Sequence, residues 1–298
     1  MVMKGTDFIF LFIEYLRLEK KYSKHTLIAY ENDLRNFEEF LKLQFEISEI
    51  NEAKSIMVRS WMASLSELKI ESRSINRKLS SLKSFYKFAM REKWIEKSPL
   101  EKIISPKVKK RLPVYLETRN TDLIPKLFEG KSDFKSIRDQ MVVELLYGTG
   151  IRLSEALGLE EEDINFTKGQ IKVLGKRNKE RIIPIPDELA RILGAYIKKK
   201  KELGIEEKKI IITEKGEPGY PKLVYNIIKT NLSYISTLEK RSPHVLRHTY
   251  ATQLLNNGAD LNAIKELLGH ANLQATQVYT HNSIDRLKEI HQRAHPKS

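Results

Sequence analysis

The sequence predicts a mainly α-helical protein with a small antiparallel β-sheet, divided into a helical amino-terminal body and an α+β carboxy-terminal one. Three observations carry that expectation. Apolar residues recur three and four apart through residues 8–89, a proline- and lysine-rich connector occupies residues 105–113, and two short alternating runs lie near residues 170–185. The boundaries this implies are 1–104, 105–113 and 114–298.

In the first part, Phe8, Leu11, Phe12, Tyr15 and Leu16 share one helical face. Ser23 gives a cap signal ahead of Leu27, Tyr30, Leu34, Phe37 and Leu41. A third helix carries Ile75, Leu79, Leu82, Phe85 and Ala89. Its aromatics belong to the apolar stripe, so they read as core rather than as stacking platforms. Arg73, Arg77, Lys78 and Lys83 lie off that stripe and are free to touch phosphates, or to sit in solvent-exposed ion pairs. In the connector (SPKVKKRLP), each proline biases its predecessor toward extended backbone, and Lys107, Lys109, Lys110 and Arg111 lie between the prolines.

The second part is mixed. Arg138–Tyr147 reads as a helix that ends at the Gly148-Thr149-Gly150 turn. Gln170–Leu174, Arg181–Ile185 and Lys209–Ile212 read as short strands, the first two joined in a hairpin with a basic tip. The lysine run 198–201 reads as the exposed end of a helix with no chemical role. From Ser242 the chain is helical again. Ser242 stands as a cap and Pro243 as the first helical residue, Asn257-Gly258 and then Gly269 close two successive helices, and Asn272 caps a last one that carries Tyr279.

Composition bounds the function. The chain has 53 Lys+Arg against 39 Asp+Glu, a formal net charge of +14. Residues 1–110 hold 22 basic and 15 acidic side chains, and the remainder hold 31 and 24, so each part carries +7. A shared excess suggests two positive bodies clamping a polyanion and displacing its counterions; an ordinary basic surface is the alternative. The chain has no cysteine, which excludes disulfides and thiolate metal sites and fits a reducing, cytoplasmic setting. Its most apolar early stretch, Phe8–Ile13, is too short to span a membrane.

The polar residues that carry chemistry are ambiguous one at a time. Arg152 in TGIRLSEAL falls at a helix start after a glycine turn, where amides and a guanidinium can cradle a phosphate; a surface ion pair with Glu155 explains it equally. In SPHVLRHTYATQL, His244 and Arg247 are three apart and share one helix face. His270 follows LLG, Tyr279 stands in VYTH, and a lone residue of either type is usually structural.

Taken together, the ordered set Arg152, Lys176, His244, Arg247, His270, Tyr279 resembles the active-site set of the tyrosine recombinase (phage integrase) family. The spacings match as well: HxxR, LLGH with its histidine 23 residues after that arginine, and the tyrosine nine residues later. The resemblance covers nearly the whole chain. SKHTLIAYENDL and SINRKLSSLKSFYKF are similar to the family's SAM-like core-binding domain, and the ending RLKEIHQRAHP is similar to the Xer branch. The lack of a preceding arm-binding domain also favours that branch over the longer integrases. One departure concerns the family's usual GKGxKxR hairpin, which reads GKRNKER here. Arg177 replaces a glycine that permits positive φ, while Lys176 is kept.

The resemblance implies site-specific DNA recombination with no cofactor and no metal. Tyr279 would attack a DNA phosphorus, His244 would act as general base and Lys176 as general acid. Arg152, Arg247 and His270 would hold the phosphate oxygens, and Glu155 would orient the site. Arg73, Arg77, Lys78, Lys83, Lys107, Lys109, Lys110 and Arg177 are candidate DNA contacts. The implied partners are a duplex recombination site, three more copies of this chain or a paralogous recombinase in a tetramer joined by exchanged carboxy-terminal tails, and a DNA translocase; no membrane is implied. Chromosome dimer resolution is the leading role. Mobile-element integration and type IB topoisomerase activity are the rival readings, and an inactive DNA-binding protein that kept the fold is a fourth.

Overall fold

A computed structural model describes residues 7–108, 114–175, 179–239, 241–269 and Ala294. The chain divides into two compact units, 1–111 and 112–298.

The first unit is built on four helices, α1 (Phe8–Leu18), α2 (Lys24–Phe45), α3 (Ser55–Glu67) and α4 (Ser72–Arg91). Asp7 and Ser23 cap the first two by accepting the amides of Phe10 and Thr26, which satisfies donors that a helix start leaves open. The apolar stripes of α1, α2 and α4 meet in an aromatic core. Phe12 meets Phe85 edge-on with centroids 5.6 Å apart, Tyr15 stacks on Phe88 at 4.6 Å, and Phe37 packs on Trp61 at 4.8 Å. Trp61 belongs to α3, a helix absent from the sequence-based expectation. Its buried residues, Met57, Val58, Trp61 and Leu65, form a narrow stripe that polar neighbours dilute.

The second unit is organised around α6 (Phe134–Thr149), whose residues from Met141 to Thr149 are all buried. Helices α8 (Asp187–Glu202), α9 (Pro221–Ser233) and α10 (Pro243–Asn256) pack on it. The helix expected at Arg138–Tyr147 thus starts earlier and continues through Gly148 and Thr149, and Gly150 closes it in the left-handed conformation, φ 59°. The unit also contains the short helices α5 (Thr118–Thr121) and α7 (Leu153–Gly158) and helix α11 (Leu261–Leu268).

The sheet has three antiparallel strands in the order β1 (Ile164–Asn165), β2 (Gln170–Leu174), β3 (Glu180–Pro184). Register places Ile171 opposite Ile183 and Val173 opposite Arg181, so these four share the buried face. The expected strand at Lys209–Ile212 forms only isolated bridges, Glu160 to Lys209 and Ile212 to Pro218, although Ile210, Ile211 and Ile212 are buried. A short apolar run fits a buried loop as well as a strand, and periodicity alone does not separate the two.

The lysine run at the end of α8 also departs from expectation. Lys200 is fully buried. Its ammonium donates to Glu161 at 2.6 Å, to the Lys209 carbonyl at 3.1 Å and to the Glu207 carbonyl. A buried cation needs such a set of acceptors to offset its lost hydration. Lys200→Met is expected to lower unfolding free energy in urea by about 3 kcal/mol, because it strands the part-buried Glu161 carboxylate and two carbonyls. Lys199→Met, which removes only a half-exposed pair with Glu202, is expected to change it by less than about 0.5 kcal/mol.

Candidate active site

Three arginines from three elements of the second unit converge on the end of α11. Arg152 occupies the cap position of α7, one residue before the helix, and is about one-quarter exposed. Its guanidinium donates to Glu155 Oε1 at 2.8 Å and to the Gly269 carbonyl at 2.8 Å. Glu155 in turn accepts the Arg152 amide at 2.7 Å through Oε2, one arm of a capping box. Arg247, on the first turns of α10, donates to the Gly150 carbonyl at 2.6 Å and the Leu268 carbonyl at 2.7 Å. Arg181, on β3, grips both oxygens of Glu155 at 2.9 and 2.8 Å and donates from Nε to the Leu267 carbonyl at 2.9 Å.

The backbone of this cluster is fixed by glycines at two points. A Cβ on Gly150, which has positive φ, would lie 2.5 Å from the Tyr250 ring; only glycine gives both the turn and the close approach. Gly269, φ 63°, ends α11, and a Cβ there would meet the Arg181 guanidinium at 3.1–3.3 Å.

The electrostatics favour an anion. Burial, together with the nearby positive charges of Arg152 and Arg181 and against partial support from Glu155, pushes the Arg247 guanidinium down to about 10. It remains charged at neutral pH. Three guanidiniums therefore gather around the Glu155 carboxylate, which pairs with Arg152 and Arg181, in a partly dry site where the charges repel one another more than they would in water. A phosphate entering beside Arg152 and Arg247 would relieve that repulsion. Each guanidinium has five N–H donors, and the bonds described above leave several on Arg152 and Arg247 for such a ligand among the described residues.

Of the sequence-derived candidates, Arg152, Glu155 and Arg247 come together here. His244 is exposed on the first turn of α10. Lys176, Arg177, His270 and Tyr279, and with them Lys109 and Lys110, lie outside the described residues. Arg73, Lys83 and Lys107 are exposed in the first unit. Arg77 and Lys78 instead meet the buried carboxylate of Asp33, which also accepts Ser81 Oγ at 2.8 Å. Lys78 also lies 5.8 Å over the Trp61 ring. Arg77 keeps half of its side chain in solvent, so its pairing and a phosphate contact are compatible. Arg181 had no role assigned from the sequence. Two signals were available: strand alternation, since it faces inward with Ile183, and its place as the final arginine of the GKGxKxR hairpin pattern.

Burial raises the Glu155 pKa, but hydrogen bonds and charge from Arg181 and Arg152 outweigh it and hold the carboxyl below the usual carboxylate range. The folded protein thus binds this proton less tightly than the unfolded chain. The ionised carboxylate stabilises the fold above its unfolded pKa, and that contribution is lost as pH falls through the folded value. Thermal midpoints followed from about pH 6 to about pH 3 should show Glu155→Gln less stable than wild type near neutrality and with a shallower acid slope. Equal slopes for the two proteins would rule out this role for Glu155.

Comparison with known proteins gives the family. Residues 120–286 match the model of the phage integrase family, and residues 9–93 match the phage integrase N-terminal SAM-like domain. The tyrosine recombinase XerC of Thermodesulfovibrio yellowstonii is 38% identical, with 99% of each chain covered. The XerC proteins of Bacillus subtilis and Chlorobaculum parvum are each 36% identical, covering 98% and 96% of this chain and 97% and 93% of theirs. Among solved structures, the fold is similar to the Tn1549 transposon integrase in complex with circular intermediate DNA, with TM-score 0.71, 22% identity, and 94% and 98% of the two chains covered. It is also similar to XerH bound to a palindromic difH substrate, with TM-score 0.70, 20% identity, and 96% and 88% covered. With family models matched in both units and relatives aligned along nearly its whole length, the chain belongs to the phage integrase family of tyrosine recombinases.

Proposed function

We propose that this site-specific recombinase cleaves and rejoins duplex DNA through a 3′-phosphotyrosine at Tyr279, and that it serves chromosome dimer resolution. The observation that carries the chemistry is the placement of Arg152 and Arg247, which are anchored on adjacent carbonyls, Gly269 and Leu268, at the residue before His270. The role in dimer resolution rests on similarity to XerC proteins along nearly the whole chain.

The proposed reaction exchanges one phosphoester for another. A tyrosine hydroxyl has a pKa of about 10 and needs a base at neutral pH. His244, exposed three residues before Arg247, takes the Tyr279 proton as the phenolic oxygen attacks phosphorus. The bond to the 5′-oxygen breaks, and Lys176 supplies the proton that the departing oxygen needs. Arg152, Arg247 and His270 hold the non-bridging oxygens where charge accumulates; preorganised donors of this kind are worth about 3–4 kcal/mol each. Because bond energy is kept in the tyrosine adduct, strand exchange requires no ATP. These cations supply the charge stabilisation that metal ions provide in other phosphoryl-transfer enzymes.

Recombination joins two duplexes, so the working species is a tetramer, with copies of this chain or a paralogue. A translocase is a further partner. The tail that follows Tyr279 links neighbouring protomers in this proposal; in the single chain its described residue, Ala294, is buried and accepts a hydrogen bond from Asn257 Nδ2 of the same chain at 2.9 Å, a contact that tail exchange would transfer to a neighbour. No helix among the described residues is long and apolar enough to cross a membrane.

On a nicked suicide duplex carrying the host's recombination site, wild type should give an SDS-stable protein–DNA adduct, undiminished in EDTA. Tyr279→Phe should retard the same DNA equally and give no adduct. An adduct in Tyr279→Phe, or its loss on chelation, would reject the tyrosine and metal-free parts of the proposal respectively. Deleting residues 283–298 should reduce DNA-bound assembly and abolish recombination between two sites; unaffected recombination would remove the tail from the account.

A further inference from the structure

We infer that Arg181 is a positioning residue for strand cleavage, tying the carboxylate that orients Arg152 to the end of α11 that leads into His270. This rests on the recombinase reading above. Arg181 is 6% exposed, and its partner Glu155 is 4% exposed, so the pair is too deep to be a surface ion pair. All three of its nitrogens are engaged, with both terminal nitrogens on the two oxygens of Glu155 and Nε on the Leu267 carbonyl. Such bidentate geometry fixes orientation in a way that a point charge cannot.

What surrounds the guanidinium makes the assignment specific. A Cβ placed on Gly269 would lie 3.1–3.3 Å from three of its atoms, and one on Gly175 would lie 3.5 Å from Nη1 and 3.8 Å from Glu155 Oε1. Gly175 immediately precedes Lys176, and Gly269 immediately precedes His270. The guanidinium therefore lies against the backbone at the roots of the two segments that carry those residues, and it shares Glu155 with Arg152. A single side chain thus ties the hairpin, the start of α7 and the end of α11. A purely structural buried pair would need neither the close approach at Gly269 nor the carboxylate shared with Arg152.

The test is a double-mutant cycle on the full-length protein, using single-turnover adduct formation on the nicked suicide duplex. The amplitude reports the folded fraction and the rate reports positioning. Arg181→Met should slow the rate about 10- to 100-fold, the size typical of groups that orient a functional side chain, while DNA retardation stays unchanged. Arg181→Lys should recover only part of the rate, because an ammonium cannot serve all three acceptors with the same geometry. In an Arg152→Ala background, Arg181→Met should cost clearly less than it does alone, because part of its effect acts through the group already removed. Equal rates for wild type and Arg181→Met, or fully multiplicative losses in the double variant, would overturn the inference. If Arg181→Met does not fold, the same cycle run with Arg181→Lys decides, and an unchanged rate there overturns it. Absence of an adduct in wild type, or its persistence in Tyr279→Phe, is a separate result that strikes the recombinase reading itself.

Discussion

The last carbonyls of α11 are the constraint on which the described part of the site depends. A helix end leaves its final carbonyls without internal partners. Here the Gly269 amide returns to Glu266 and Lys265, which leaves Leu267, Leu268 and Gly269 to be satisfied from outside. Arg181, Arg247 and Arg152 take one each. The negative end of the helix dipole reinforces the attraction. Each of these guanidiniums comes from a different element, so this single helix end holds β3, α10 and the start of α7 in fixed relation. The residue that follows it in the chain is His270.

Concentrating cations in a partly dry site carries an electrostatic cost, and Glu155 answers only part of it. Its carboxylate binds Arg181 through both oxygens, pairs with Arg152 and accepts the Arg152 amide. Arg247 has only carbonyl partners among the described residues, and it is the guanidinium pushed toward neutrality. A site in which preorganised positive charge exceeds the protein's own negative charge is suited to stabilise a phosphate that gains charge in the transition state, with little reorganisation needed at the moment of reaction.

The first unit uses a buried carboxylate in a related way. Asp33 lies on α2 facing α4 and gathers Arg77, Lys78 and Ser81. Removing a carboxylate from water is favourable only with partners of this kind. The pairing fixes the rotation of α4 relative to α2, and therefore which of its basic residues point outward. Arg73, Lys83 and Lys87, which are exposed without appearing in that pairing, are residues of α4 available to a polyanion.

Much of this protein was legible from residue order. The period of apolar residues gives α1, α2 and α4, cap residues such as Asp260 mark helix starts, and Gly150 and Gly269 mark helix ends, because these signals act over one or two turns of backbone. Of the candidate site, the fixed spacings marked Arg152, Glu155 and Arg247, which the fold brings together at the end of α11. Helix α3 and strand β1 were missed because their stripes are narrow or short, and Lys209–Ile212 was misassigned because an apolar run without period is buried equally well as a loop. Sequence alone could not reveal that Lys200 is interior within a solvated-looking lysine run, that Arg77 and Lys78 close on Asp33, or that Arg181 joins Glu155 to α11. Each of those outcomes depends on which distant acceptor the fold brings within 3 Å or so of a cation, and hydrogen bonding over that range is a property of three-dimensional proximity that no local pattern encodes.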